Sequence, residues 1–108
     1  MPLTRSFRAT VLTRAQRSTT FRRALLTEAV NKLLAGDLET GKAILRDYIN
    51  ATITFEGLAT ALGKPNKSLQ RMLGPKGNPT AENIFTILRA LQDHEALHLK
   101  VTTKRSAA

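Results

Sequence analysis

Residues 53–91 constrain this chain more than any other part of it. Thr54-Phe-Glu-Gly-Leu-Ala-Thr-Ala-Leu62 is an apolar, alanine-centred run that reaches Gly63, turns through Lys64 and Pro65, and restarts as Asn66-Lys-Ser-Leu-Gln-Arg-Met-Leu73. Glycine closes a helix because it enters the left-handed region at little cost, and proline cannot continue one. Two short helices joined by a glycine-containing three-residue turn read as a helix-turn-helix. At about 3.6 residues per turn, Asn66, Lys67, Gln70 and Arg71 share one face of the second helix, while Leu69, Met72 and Leu73 point the other way.

That polar face matches the edges of duplex DNA. Arg and Lys donate to guanine O6 and N7, and Asn or Gln pairs bidentately with adenine. Asn66, Lys67, Gln70 and Arg71 are therefore candidate base readers, with a merely solvated surface as the plain alternative. Lys64 and Lys76 flank the helix and Ser68 lies near its core side, which makes them candidate phosphate contacts that position a protein without specifying sequence. Thr54 joins them, because free N–H groups at a helix start favour an anion. Gly77 is assigned to loop geometry alone.

The formal net charge of +9 on 108 residues is unevenly spread. Residues 1–36 carry seven basic side chains against Glu28 alone, residues 37–63 are net acidic, and residues 64–79 hold Lys64, Lys67, Arg71 and Lys76 with no acid. A cationic surface attracts polyanions, and phosphate contacts release counterions, so affinity falls steeply with salt. Charge alone is served as well by solubility; its coincidence with the motif favours nucleic acid. Zero cysteine removes disulfides and thiolate metal sites and fits a reducing cytoplasm. No run approaches the roughly 18 apolar residues of a membrane span, so the expectation is a cytoplasmic protein with no membrane partner. Arg5 to Arg23, acid-free and rich in Ser and Thr, imitates a mitochondrial transit peptide. The segment nevertheless runs on into Phe21, Leu25, Leu26, Ala29, Val30, Leu33 and Leu34, the stripe of a packed helix.

The expected class is mainly α, a five- to six-helix bundle in one domain. Thr4 to about Gln16 forms a first helix with Phe7, Val11 and Ala15 inward, and about Thr19 to Ala35 a second, ended by Gly36. Asp37 caps a third with Leu38, Leu45, Tyr48, Ile49 and Thr52 on its inner side, despite the helix-weakening Gly41. After the motif, residues 74–79 form a Gly- and Pro-rich loop, and Thr80 caps a last helix with Ile84, Ile87, Leu88 and Leu91 facing the core. Leu97, Leu99 and Val101 then alternate with His98, Lys100 and Thr102 as a short strand. The chain divides into a basic helical segment packed on the core (1–36), a helix-turn-helix DNA-binding core (37–95), and a C-terminal strand and tail (96–108). A lone strand needs a partner for its backbone groups, so it pairs with its copy in a homodimer, or else the tail is frayed. Such a dimer presents two reading helices to half-sites about 10 base pairs apart.

The pattern Leu58-Ala-x-x-Leu-Gly63, a polar segment with Leu69, Gly77-Asn78-Pro79-Thr80 and Ile84-x-x-Ile-Leu-x-Ala-Leu91 resembles the Cro/CI-like (xenobiotic-response-element type) helix-turn-helix regulators. More narrowly, Leu69-x-Arg71-x-Leu73-x-Pro75-x-Gly77-Asn78-Pro79, with Leu88-x-Ala90-Leu91 and the Leu-x-Leu-x-Val segment, is similar to addiction-module antidote (antitoxin) proteins. Those are encoded beside a small ribosome-dependent mRNA-cleaving toxin. The resemblance implies a dual role, neutralising a small toxin protein and repressing the shared operon by binding its operator as a dimer. The chain departs from the family where Thr54 and Phe55 open the first motif helix and where Pro65 replaces the usual Ser or Thr cap, a role that passes to Asn66.

Other classes find less support. His94-Glu95-Ala96-Leu97-His98 matches H-E-x-x-H, in which two histidines one turn apart bind zinc. A catalytic zinc needs a third ligand, yet no acid follows Glu95 and no His follows His98, and the helix would have to persist through a stretch that alternates as a strand. With no phosphate-cradling G-x-x-x-x-G-K-[ST] and no nucleophile-base-acid set, neither an enzyme nor a cofactor or metal is expected. The alternatives are a stand-alone phage- or plasmid-type repressor without a toxin, and a basic RNA-binding protein built on the N-terminal arginines. For the latter, one Tyr and no Trp give few stacking platforms.

Overall fold

Ser18 divides the N-terminal basic stretch into two helices. Its Oγ accepts from the Phe21 N–H at 3.1 Å, so α2 (Thr19–Leu34) starts afresh after α1 (Arg5–Arg17). α2 closes in a Schellman arrangement: Gly36 takes φ +83°, its N–H donates to Leu33 O at 3.1 Å, and Asp37 N–H donates to Lys32 O at 2.9 Å. Asp37 opens α3 (Leu38–Ala51) by accepting from Thr40 N–H at 3.2 Å, and the hydrogen bonds from Thr40 hold its carboxyl below the ordinary value. α4 (Thr54–Leu62), α5 (Asn66–Met72) and α6 (Ala81–Glu95) complete the computed structural model, which describes residues 5–107. The expected helix start at Thr4 lies outside the described residues.

The α2–α3 crossing organises the bundle. A Cβ at Gly41 would lie 2.6 Å from Leu33 Cδ2 and 3.3 Å from Ala29 O, so glycine there permits close approach of the two helices. Packing overrides its poor helix propensity. Leu26 and Ala29 of α2 meet Leu45, Tyr48 and Ile49 of α3, and Phe55, Leu58, Leu69, Leu73, Ile87, Leu88 and Leu91 close the core from the other side. Arg22 fastens three helices: it pairs with Glu95 at the end of α6 at 2.6 Å, and donates to Ala15 O at 3.0 Å and Thr19 Oγ1 at 3.2 Å. Beside that pair lies the buried Tyr48 hydroxyl, and burial together with the nearby Glu95 carboxylate raises its pKa.

Two sets of expectations, the inward Phe7 and Leu34 and the C-terminal strand, are corrected. Ala15 is buried, but Phe7, in the first turn of α1, is 52% exposed and Leu34, the last residue of α2, is 67% exposed. The strand expected at Leu97, Leu99 and Val101 is absent: no strand forms among the described residues. Ala96 enters the left-handed region at φ +53° and reverses the chain; Leu97 and Leu99 pack on the core, and Leu99 N–H donates to Gln92 Oε1 at 2.8 Å. One side-chain acceptor thus stands where a ladder was expected, and Val101 is 73% exposed. The same reversal ends α6 before His98, so His94 and His98 do not lie one turn apart on a helix.

Candidate functional site

The turn between α4 and α5 follows from its residues. Gly63 adopts φ +63°, Lys64 N–H donates to Ala59 O at 3.1 Å, and Pro65 holds φ −63° and ψ 136°, extended backbone from which α5 departs. Pro65 itself is the cap residue and offers no side-chain acceptor, although its carbonyl accepts from Ser68 and Leu69 N–H. Asn66 therefore does not cap the helix, contrary to expectation. It occupies the first helical position, and its Oδ1 accepts a hydrogen bond from Gln70 Nε2 one turn later.

Leu69 and Leu73 are fully buried, whereas Lys67, Gln70 and Arg71 are exposed on the opposite side of α5. Half-buried Ser68 joins Arg71, Lys76 and Asn78 around a shallow recess of about 330 Å³ that reaches Asn83 at the start of α6. Lys64 and Thr54 are exposed at opposite ends of α4. Thr54 takes φ +69°, uncommon for a β-branched residue, and its Oγ1 accepts from Gly57 N–H at 3.2 Å. That hydrogen bond uses a lone pair of the hydroxyl and leaves its proton available to an acceptor.

Sequence reasoning missed what anchors α5 from behind. The Lys42 side chain is fully buried, and its Nζ donates to Gly74 O at 2.9 Å and Gly77 O at 2.8 Å while pairing with the Glu39 carboxylate at 2.9 Å. Three ammonium protons thus meet three oxygens. One turn further along α3, Arg46 Nη1 donates to Leu73 O. Two cations thus bond carbonyls of residues 73–77, just past the end of α5, where the helix dipole is negative. Gly77 is required for close approach: a Cβ there would fall 2.1 Å from Arg71 O and 2.3 Å from Met72 O. The available signal was Lys42 itself, which lies four residues after Leu38 and three before Leu45, on the inner stripe of α3.

The outward face of α5 and its following loop therefore form a held array of hydrogen-bond donors with no carboxylate between Lys64 and Pro79. Such an array can engage an anionic or acceptor-rich surface. Comparison of the chain with protein families, curated proteins and solved structures returns no match.

Proposed function

We propose that the chain is a sequence-specific DNA-binding regulator, in which α4, the Gly63–Pro65 turn and α5 act as a helix-turn-helix and α5 enters the major groove. The observation that carries this reading is the exposure of Lys67, Gln70 and Arg71 on one face of a helix whose other face is buried, within an acid-free stretch of chain. A helix about 10–12 Å across fits a groove about 12 Å wide. Arg71 and Lys67 read guanine; Gln70, oriented by its hydrogen bond to Asn66, reads adenine with the help of that residue. Ser68, Lys64, Lys76 and the free hydroxyl proton of Thr54 meet phosphate oxygens and set the register.

Within this reading the protein is a cytoplasmic, autorepressing antitoxin that binds its operator as a homodimer and a small toxin as partner. Its support is the resemblance carried by Leu69-x-Arg71-x-Leu73-x-Pro75-x-Gly77-Asn78-Pro79. The exposed Arg8, Arg14, Arg17 and Arg23 of α1 and α2 offer a toxin-facing surface separate from α5.

Selection from a random duplex pool, followed by anisotropy titrations at several salt concentrations, tests the DNA-binding reading. An enriched sequence and a steep loss of affinity with salt are expected. Arg71→Ala should cost about 1–3 kcal/mol and relax preference at one base pair, whereas Lys76→Ala should weaken all sequences alike and reduce the salt slope by about one. A pool that returns no preferred sequence, with equal binding to duplex RNA, sinks the reading. Killing by a cotranscribed neighbour, relieved by this chain, tests the antitoxin role.

A further inference from the structure

α6 carries two stripes, and the fold uses only one of them. Ile87, Leu88 and Leu91 are buried in the core. Glu82, Phe85, Arg89 and Asp93 recur at helical spacing along a groove of about 710 Å³ whose apolar floor includes Ile53, Leu62 and Ala90. Phe85 is 68% exposed at the middle of this groove face, a large aromatic surface left in water. Glu82 makes no ion pair among the described residues, and Arg89 is held only by an exposed bond to Asp93 at 3.2 Å, a kind of pair that exchanges at little cost.

Glu82 and Arg89 stand seven residues apart, with Phe85 and Thr86 at their midpoint. A two-fold axis crossing α6 between Phe85 and Thr86 runs the helix antiparallel to its copy. Glu82 of each copy then faces Arg89 of the other, and each Phe85 enters the groove of the opposite copy. We infer that this chain forms a two-fold dimer through α6, with Phe85 as the central anchor and the two Glu82–Arg89 pairs fixing the register. A second copy is the occupant that the charge pattern favours. A basic partner would leave Arg89 opposed by like charge, and an acidic one would do the same to Glu82 and Asp93. The inference supplies the two-fold axis that an operator-binding protein needs, but it stands on the groove and its charges without DNA, so the two readings fail separately.

Light scattering on the purified full chain between about 1 and about 100 µM tests it, without nucleic acid present. The expected mass is twice 11.9 kDa. Phe85→Glu should leave a monomer throughout the range. Glu82→Arg should raise the dimer dissociation constant about tenfold, and the double reversal Glu82→Arg with Arg89→Glu should restore it. Helix content by circular dichroism should be unchanged in all three, since the altered side chains are exposed. Should Phe85→Glu fail to fold, the single and double reversals decide the matter by themselves. A monomeric parent chain, or a dimer that ignores Phe85→Glu and gains nothing from the double reversal, overturns the inference.

Discussion

α5 and α6 are neighbours in the chain and owe their helicity to different sources. α6 has 15 residues and carries its own ends: Thr80 Oγ1 accepts from Asn83 N–H at 3.1 Å, and Ala96 closes the last turn in the left-handed region. α5 has seven residues, begins at a proline with no side-chain capping oxygen, and runs into a cap and loop whose carbonyls are held by Lys42 and Arg46 of α3. Isolated helices below about 12–15 residues are marginal in water, so α5 depends on Leu69, Leu73 and those two cations. A helix stabilised from behind can leave its whole front polar. Lys67, Gln70 and Arg71 bear little of the packing and are available to a ligand.

The dependence of α5 on α3 is greatest at Lys42. Lys42→Met leaves Gly77 O without the ammonium donor and Gly74 O with the Gly77 N–H alone, and should cost about 3 kcal/mol in urea unfolding. Hydrogen exchange should rise in α5 and residues 73–77 before it rises in α6; α5 protection equal to the parent's would mean that Leu69 and Leu73 suffice. Gly77→Ala comes next, at about 2 kcal/mol, because the added methyl overlaps Arg71 O and Met72 O and the loop must move. It should also shift Lys76 and weaken binding to any duplex. Thr80→Ala removes a cap worth about 1 kcal/mol, and its exchange effect should stay within the first turn of α6. Spread of that effect into α5 would show the two helices to be less independent than their contacts suggest.

How legible each part was follows from the distance over which its causes act. Thr80, Asp37 and Gly36 cap within a few residues of themselves, so α2, α3 and α6 were readable nearly to their ends. The shared face of Lys67, Gln70 and Arg71 was readable for the same reason, since spacing alone fixes it. Lys42 and Arg46 act across 27 to 35 residues, and nothing local to α5 announces them. Asn66 was misread because a side-chain bond to Gln70 competes with capping. Alternation at Leu97 and Leu99 identified two inward leucines, but it cannot distinguish a ladder from an extended segment laid on a core. Gly41 looked like a weakness in a helix and is a contact surface for Leu33.

The smallest effect is expected at Asp47, which lies beside Arg46 on α3 but is not itself bonded to the loop that follows α5. Burial raises the Asp47 carboxyl above its ordinary value, against the opposing pull of Arg8 and Arg46. An acid whose folded-state pKa exceeds its unfolded one makes the native chain the better proton binder, so its cost is full above that folded value and fades as pH falls through it. Asp47→Asn, neutral at every pH, should therefore raise stability at neutral pH by no more than about 0.5 kcal/mol. That advantage should vanish on acidification below the carboxylate range. Since Asp47 does not contact the carbonyls that Lys42 and Arg46 hold, duplex affinity should be unchanged. A loss of affinity without a loss of stability would mean that Asp47, through Arg46 or through Arg8 of α1, helps to set the position of α5.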